Sequence, residues 1–555
     1  MPSQDDNCAF EAAPAFDAGS FCSTPEPCAT YATGELLSWE QKDALVRRLD
    51  EQLQALTDKL EQIEAGVRLF QPLSQEDATA RRLETQLSAL RGQQRTLEVA
   101  LRVKRATLLA QMGRSLEARA DYLKVAELDP TNRLNLIGLG CLLAATGQRR
   151  AARTVYAEAV KYHPDDVVIR VSLGALMLEE ADAAGARAHY EAALRINPEY
   201  PQAHGGMYYA LTRLGEPDAA EFHHRKCFEQ QRVIPTLYKG KSPAIPVLLM
   251  ASSVGGNAPL EKFLDDRVFQ TYVVVTDFYD EKTPLPAHRL VMNGIGDADV
   301  AAAALAGAEH LLAHTAARVI NAPAAIQGTG RCDVARRLSG VPGVVTPRMV
   351  TLPREALAAP DSGATLTLHG FEFPLLVRTP GYHIGEHFLR VESLDELPIA
   401  LAQLPGRDLT VIEYLEARGR DGKARKYRVM MIDGQLYPLH VAISSDWKIH
   451  YFSAEMAESP AHRAEDAEFL SNMSGVLGPA AVAALDGIQK TLGLDYGGVD
   501  FGLNEKGEIL LFEANATMVV IPPDADSRWD YRRPAVELVR SAVSKMLMDR
   551  AKGAF

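Results

Sequence analysis

Gly497-Gly-Val-Asp500-Phe-Gly502-Leu-Asn504-Glu-Lys-Gly507-Glu-Ile-Leu-Leu-Phe-Glu513-Ala-Asn515-Ala-Thr517 reads as two β-rich runs around a turn, Asn504 to Gly507. A loop of two or four residues there gives one parity. Val499, Phe501, Leu503, Leu510 and Phe512 then face a core, and Asp500, Glu513 and Asn515 face the other way. Gly498 and Gly502, beside Asp500, leave space on that second face. Two carboxylates and an amide oxygen, diagonal across the strand pair, suit Mg²⁺, which takes a few protein oxygens and completes its octahedron with phosphates and water. An edge hairpin with a solvated acidic face has the same spacing, so the reading depends on its context.

The chain has 555 residues, 47% apolar and 24% charged, enough for several soluble globular domains. A formal net charge of -13 argues against a general nucleic-acid binder and a binder of anionic membranes, and is compatible with a nucleotide held through Mg²⁺ or Mn²⁺. No apolar run approaches the ~18 residues that span a bilayer, and the N-terminus lacks a basic and then hydrophobic signal, so a cytoplasmic protein is expected. Six cysteines without a Cys-x-x-Cys pair make no disulfide scaffold. Cys8, Cys22 and Cys28 fall in a leader over 1–36 that is expected to lack fixed structure, and they read as unpaired thiols rather than zinc ligands.

Leu49, Leu53, Leu56, Leu60, Ile63 and Val67 step by four and three residues, and Leu83, Leu87, Leu90, Leu97 and Leu101 repeat the pattern around Gln94. With a break and a capping candidate, Ser74, between them, they predict a helical hairpin over 37–98 that packs on itself or forms a homodimer. A 34-residue period then runs from 99 to 232: Pro130, Pro164 and Pro198; Ala118, Ala152, Ala186 and Ala220; Tyr122, Tyr156 and Tyr190. This resembles four tetratricopeptide repeats, whose concave side suits a peptide or protein partner, although a rigid spacer or a dimer interface has the same period. His224 takes the aromatic place in the last repeat and Cys227 a packing place.

Beyond Lys239 to Pro243, a strand over 245–252, a Gly255-Gly256 turn, a helical run and a strand over 271–276 predict a small doubly wound sheet, continued by an Ala-rich helix over 298–314 and a strand over 318–323. Neither a dinucleotide fingerprint nor a P-loop is present. From Val319 onward the order of elements resembles an ATP-grasp domain. Val319 to Pro323, Arg331 to Leu338 and Val344 to Pro347 resemble its entry. Phe373 to Phe388 resembles its basic strand and phosphate loop, Val411 to Leu415 its adenine hinge, Lys426 to Gly434 the next hairpin, and the Asp500 to Asn515 hairpin closes the order. The fold class so implied is multidomain: an all-α N-terminal part with a helical hairpin and a repeat solenoid, an α/β pre-ATP-grasp domain over 240–350, and an α+β ATP-grasp domain over 351–555.

The resemblance implies an ADP-forming ligase that joins a peptide or small-molecule carboxylate to an amine through an acyl-phosphate. It implies ATP held by Arg331, Arg378, Gly381, His383, Gly385, His387, Glu413, Tyr414 and Leu415, and Mg²⁺ held by Asp500, Glu513 and Asn515. Arg428 would act on the transferred phosphate and Lys448 on the substrate. Arg331 and Arg378 stand where family members commonly carry Lys; guanidinium keeps its charge and forks two oxygens, but is bulkier. Two other readings use the same residues: a phosphotransferase that releases its phosphorylated product, and a repeat scaffold with a nucleotide-sensing site.

Overall fold

The computed structural model describes residues 37, 39–69, 78–382, 385–449 and 454–552; the leader, Ser74 and His383 lie outside them. The chain divides into two compact units, one reaching to Ile245 and including Asp265–Tyr272, the other holding Pro246–Leu264 and the chain from Val273 on.

The first unit is helical. Helices α1 (Trp39–Leu69) and α2 (Ala78–Gln111) follow the two leucine series, and Leu49, Leu53 and Leu56 are buried as their spacing predicts. Leu90 and Leu97 depart from that expectation, at 46% and 50% exposure. The buried face of α2 runs instead through Val99 and Val103, which pack on Val125 of α3 (Ser115–Leu128). One continuous helix therefore ends the hairpin and begins the repeats. Asp121, 1% exposed, is neutralised by Arg102 at 2.9 Å and Arg105 at 2.6 Å, fixing α3 on α2.

Three further helix pairs follow: α4 (Arg133–Ala145) with α5 (Arg149–Tyr162), α6 (Val167–Glu179) with α7 (Ala183–Ile196), and α8 (Pro201–Leu214) with α9 (Pro217–Gln230). Ala118, Ala152, Ala186 and Ala220 are buried, and so are Tyr122, Tyr156 and Tyr190, whose rings press on helical glycines. His224 fills the aromatic place of the last pair by stacking on Tyr208 at 4.6 Å, and Cys227 is fully buried. The turns within pairs need a left-handed residue: Gly113, Gly147 and Gly215 supply it, and Ala181 adopts φ 64° in the third.

After β1 (Val233–Pro235) come β2 (Ile245–Ala251), β3 (Phe269–Val275), β4 (Leu290–Asn293) and β5 (Arg318–Ile320). The α/β unit orders its strands β3-β2-β4-β5, with β2, β4 and β5 parallel. The sequence does not single out β4, only four residues long, yet all four are buried. The expected helix between β2 and β3 is one 3-10 turn, Leu260–Phe263, started by Pro259 in a short connection. The Ala-rich helix spans Ala302–Leu312.

The rest of the unit is antiparallel in the main. Strands β6 (Val344–Val345), β7 (Met349–Pro353), β8 (Leu375–Arg378), β9 (Phe388–Val391), β10 (Asp408–Glu413), β11 (Ala424–Ile432), β12 (Gln435–Ser444), β13 (Tyr496–Leu503) and β14 (Ile509–Asn515) make two sheets, ordered β7-β10-β8-β9 and β12-β11-β13-β14-β6. Asn321, fully buried with φ 57°, ties the end of β5 to the start of β13: its Oδ1 accepts the N–H groups of Asp495 and Tyr496 at 2.9 Å, and its Nδ2 donates to Tyr496 O at 2.8 Å.

The β13–β14 hairpin differs from its expected register. Leu503 pairs with Ile509, so the loop has odd length and the outer half is shifted by one; Phe501 faces Leu511 instead of sharing its side with Leu510 and Phe512. A bulge between Asp500 and Phe501 restores the original parity, setting Asp500 directly opposite Glu513 and Gly498 opposite Asn515.

Two substitutions test the repeat packing. A Cβ on Gly206 would stand 2.2 Å from the Tyr190 ring, so Gly206→Ala is expected to lower stability by about 1–3 kcal/mol. Ala181→Gly relieves a left-handed alanine and is expected to add about 1 kcal/mol. Urea unfolding followed by circular dichroism reads both shifts.

Candidate functional site

The bulge has a chemical result. His440 on β12, Arg428 on β11, Asp500 on β13 and Glu513 on β14 are successive cross-strand partners in one row. Lys426 lies two residues from Arg428 on the same face. Asp500 is only 2% exposed; Arg428 donates to it twice, Nε to Oδ1 at 2.6 Å and Nη2 to Oδ2 at 2.8 Å, and Lys426 Nζ lies 3.2 Å from Oδ2. Burial pushes the Asp500 carboxyl up, but Arg428 and Lys426 outweigh it and hold the group well below the usual carboxylate range. Burial likewise opposes ionisation of Glu513, and Arg331, whose Nη2 donates to Oε1 at 2.9 Å, lowers it.

Of the three expected metal ligands, Asp500 is engaged by Arg428 and Lys426, and Asn515 by Thr517 and Glu513. Asn515 Oδ1 accepts the N–H of Thr517 at 3.0 Å and its hydroxyl at 2.9 Å, which leaves Nδ2 to donate to Glu513 Oε1 at 2.9 Å. A backbone N–H can only donate, so the amide orientation is determined. Protein also fills the space beside the two glycines: a Cβ on Gly498 would meet Met518 and Met430, and one on Gly502 would meet Ala417 and Phe512. Glu513 differs, with a side chain 31% exposed and one oxygen outside these bonds.

Arg378 ends β8 and is 9% exposed. Its Nη2 donates to Tyr382 O, its Nε has no hydrogen-bond partner among the described residues, and the Phe388 ring lies 5.8 Å away. Burial, aided by Arg331, lowers it to about 10, against the pull of Glu513, Asp297 and Asp299. Those two aspartates follow β4; Asp299 Oδ2 accepts the N–H of Arg331 at 2.9 Å and so braces the helix Arg331–Leu338. The acidic residues after β4 were not legible as site residues because β4 itself was not.

The expected phosphate loop turns at Gly381 (φ 83°) and Gly385 (φ 72°). His387 packs edge-on against Tyr382 at 4.4 Å, and its carbonyl accepts the Thr379 N–H at 3.0 Å. Lys448 joins this loop, not the Asp500 row: its Cε lies 2.6 Å from where a Gly385 Cβ would stand, and its Nζ 3.5 Å from Phe388 O. At the expected hinge, Glu413 Oε2 accepts the Arg348 N–H at 2.9 Å. Tyr414 and Leu415 leave β10 half-buried, with Arg390 4.2 Å over the Tyr414 ring. A hollow of about 350 Å³ is lined by Gly385, His387, Leu404 and Lys448 and includes none of Arg378, Asp500 and Glu513.

Residues 100–132 match the family model of the tetratricopeptide repeat. No curated protein matches the chain. Among solved structures, a crystal structure of MamA is 20% identical over 24% of this chain and 78% of that one, with a TM-score of 0.23. MamA from Desulfovibrio magneticus RS-1 is 21% identical over 24% and 76%, with a TM-score of 0.23. A Thermobaculum terrenum O-GlcNAc transferase is 19% identical over 34% and 39%, with a TM-score of 0.25. The chain thus has a helix-rich N-terminal region with tetratricopeptide-like repeats, followed by an α/β region with several sheets. Among the described residues, no helix is long and apolar enough to cross a membrane.

Behind β12, Asp466 is fully buried; Val441 N donates to it at 2.7 Å and the Tyr531 hydroxyl at 2.6 Å. Burial raises its carboxyl to about 6, against Arg532 and Tyr531. A raised folded-state value stabilises the fold below the unfolded value near 3.8 and loses that effect as pH rises through about 6. Wild-type stability relative to Asp466→Asn is therefore expected to fall by about 2–3 kcal/mol between pH 4 and pH 7, measured by urea unfolding across that range.

Proposed function

We propose that the chain is an ATP-dependent carboxylate-amine ligase of the ATP-grasp kind, whose repeats dock the peptide or protein partner that carries one of the reactants. Arg378 carries the reading. A guanidinium nine-tenths buried, with an Nε unpartnered among the described residues, is an unfinished interaction that an anion completes. A triphosphate supplies such an anion, and Arg331, Gly381, Gly385, His387 and Lys448 belong to elements next to β8 and β9 or linked to Glu513.

The order of a four-stranded antiparallel sheet followed by a five-stranded one supports the same reading, with the half-buried Tyr414 and Leu415 on the connection between them. MgATP, when bound, would provide the phosphoryl group that activates a carboxylate for attack by an amine. The chain's own share is electrostatic: Arg378 and Arg331 offset phosphate charge, Glu513 offers an oxygen to the cation, and Arg428 offsets charge on the acceptor side. No side-chain nucleophile is needed. A second reading, a repeat scaffold with a nucleotide-sensing site, draws on the engagement of Asp500 by cations and of Asn515 Oδ1 by Thr517.

Arg378→Met separates binding from folding. It removes a buried, incompletely paired charge, so the variant without nucleotide is expected to melt about 2–4 °C higher, while MgATP affinity by titration calorimetry falls at least about tenfold. Unchanged affinity would defeat the phosphate assignment. ADP release with some member of a carboxylate and amine pool distinguishes ligase from sensor.

A further inference from the structure

Helix α2 carries two apolar stripes. Val99 and Val103 lie on the one that packs on Val125 of α3. Leu87, Leu90, Gln94, Leu97 and Leu101 step by three and four residues along the other. Leu101, at its end, packs on the core of the first repeats, whereas Leu90 and Leu97 are half exposed. Helix α1 does not lie over this stripe. It meets α2 through the ion pairs of Asp50 with Arg105 and of Glu64 with Arg91, the second at 3.9 Å. Leu90 and Leu97 each stand one residue before the line of Arg91 and Glu98, about 100° round the helix, so they flank α1 instead of facing it.

Gln94 marks what covers the stripe. It interrupts the leucines at their centre, and its Oε1 is buried without a hydrogen-bond partner among the described residues. A carboxamide both donates and accepts, so two copies of one glutamine, each turned toward the other, satisfy one another across a two-fold axis. We infer that this stripe is the interface between two copies of the chain, paired antiparallel through α2 about an axis at Gln94. The inference is independent of the nucleotide reading. About that axis Leu90 of one copy meets Leu97 of the other, and Arg91 of one comes beside Glu98 of the other, which gives Oε1 to Arg102 of its own helix at 2.7 Å. Gln86 and Gln93, on the flank away from α1, bring no like charges together. Two hairpins so joined make a four-helix seam, in which one central polar residue fixes the register.

Sedimentation velocity of the full chain between about 1 and about 100 µM reads the association. The wild type is expected to sediment as a dimer at the upper end, and Leu90→Lys with Leu97→Lys to weaken dimerisation at least about tenfold with unchanged circular dichroism. A wild-type monomer throughout, which would leave the stripe to another segment or another protein, would overturn the inference. So would a dimer that the double variant keeps intact. Gln94→Lys and Gln94→Glu, each alone, are expected to weaken the dimer at least about tenfold, because like charges meet at the axis. Mixed in equal amounts, the two are expected to form a heterodimer within about threefold of the wild-type affinity. Homodimers unaffected by either charge, or a mixture no tighter than its components, would place Gln94 away from the axis and overturn the pairing.

Discussion

A carboxylate with 2% of its surface exposed remains ionised only if cations meet it directly, and that requirement organises the last sheet. Asp500 needs Arg428 and Lys426 on the neighbouring strand, in register and on one face. The register in turn needs the bulge between Asp500 and Phe501, without which the odd loop would turn Glu513 away from the row. Arg331 then reaches Glu513 from a helix whose first N–H is held by Asp299, and Asn321 fastens β5 to β13. Loop length, strand pairing and the position of the α/β sheet thus meet at one buried ion pair. Losing either partner leaves the other charged and buried, so the group persists as a set.

The helical unit obeys a simpler constraint. A small residue must sit where two helices touch and a ring must fill the layer behind it, which a 34-residue period repeats at Ala118 and Tyr122, Ala152 and Tyr156, and Ala186 and Tyr190. Such contacts lie close in sequence, and so this part was legible without a structure. The limits of the leucine pattern are equally physical. Heptad spacing places Leu90 and Leu97 on one side of α2 but cannot say which side the neighbouring helix covers, and both are exposed.

In the α/β unit, legibility falls as pairing becomes less local. Strands with long apolar or alternating runs, such as β2 and β11 to β14, stood out; β4, with four residues between prolines and Gly294, did not, although it lies between β2 and β5 in its sheet. The side of Asp500, Glu513 and Asn515 was readable from alternation. Their partners were not, because an odd loop and a compensating bulge leave parity at those positions unchanged while moving Leu510 and Phe512. Lys426 was within reach of the same alternation that marked Arg428. The hydrogen bonds that Asn515 Oδ1 accepts from Thr517 depend on the chain path after β14 and have no spacing signature.

The central claim is that the region from Arg378 to Glu513 receives a nucleotide. Hydrogen exchange of the full chain with and without saturating Mg²⁺ and AMP-PNP tests it at peptide resolution. The account predicts slower exchange over 379–388, 411–416 and 509–517, with the repeats over 100–232 unchanged. Exchange unaltered in all three segments, or protection confined to the repeats, would contradict it.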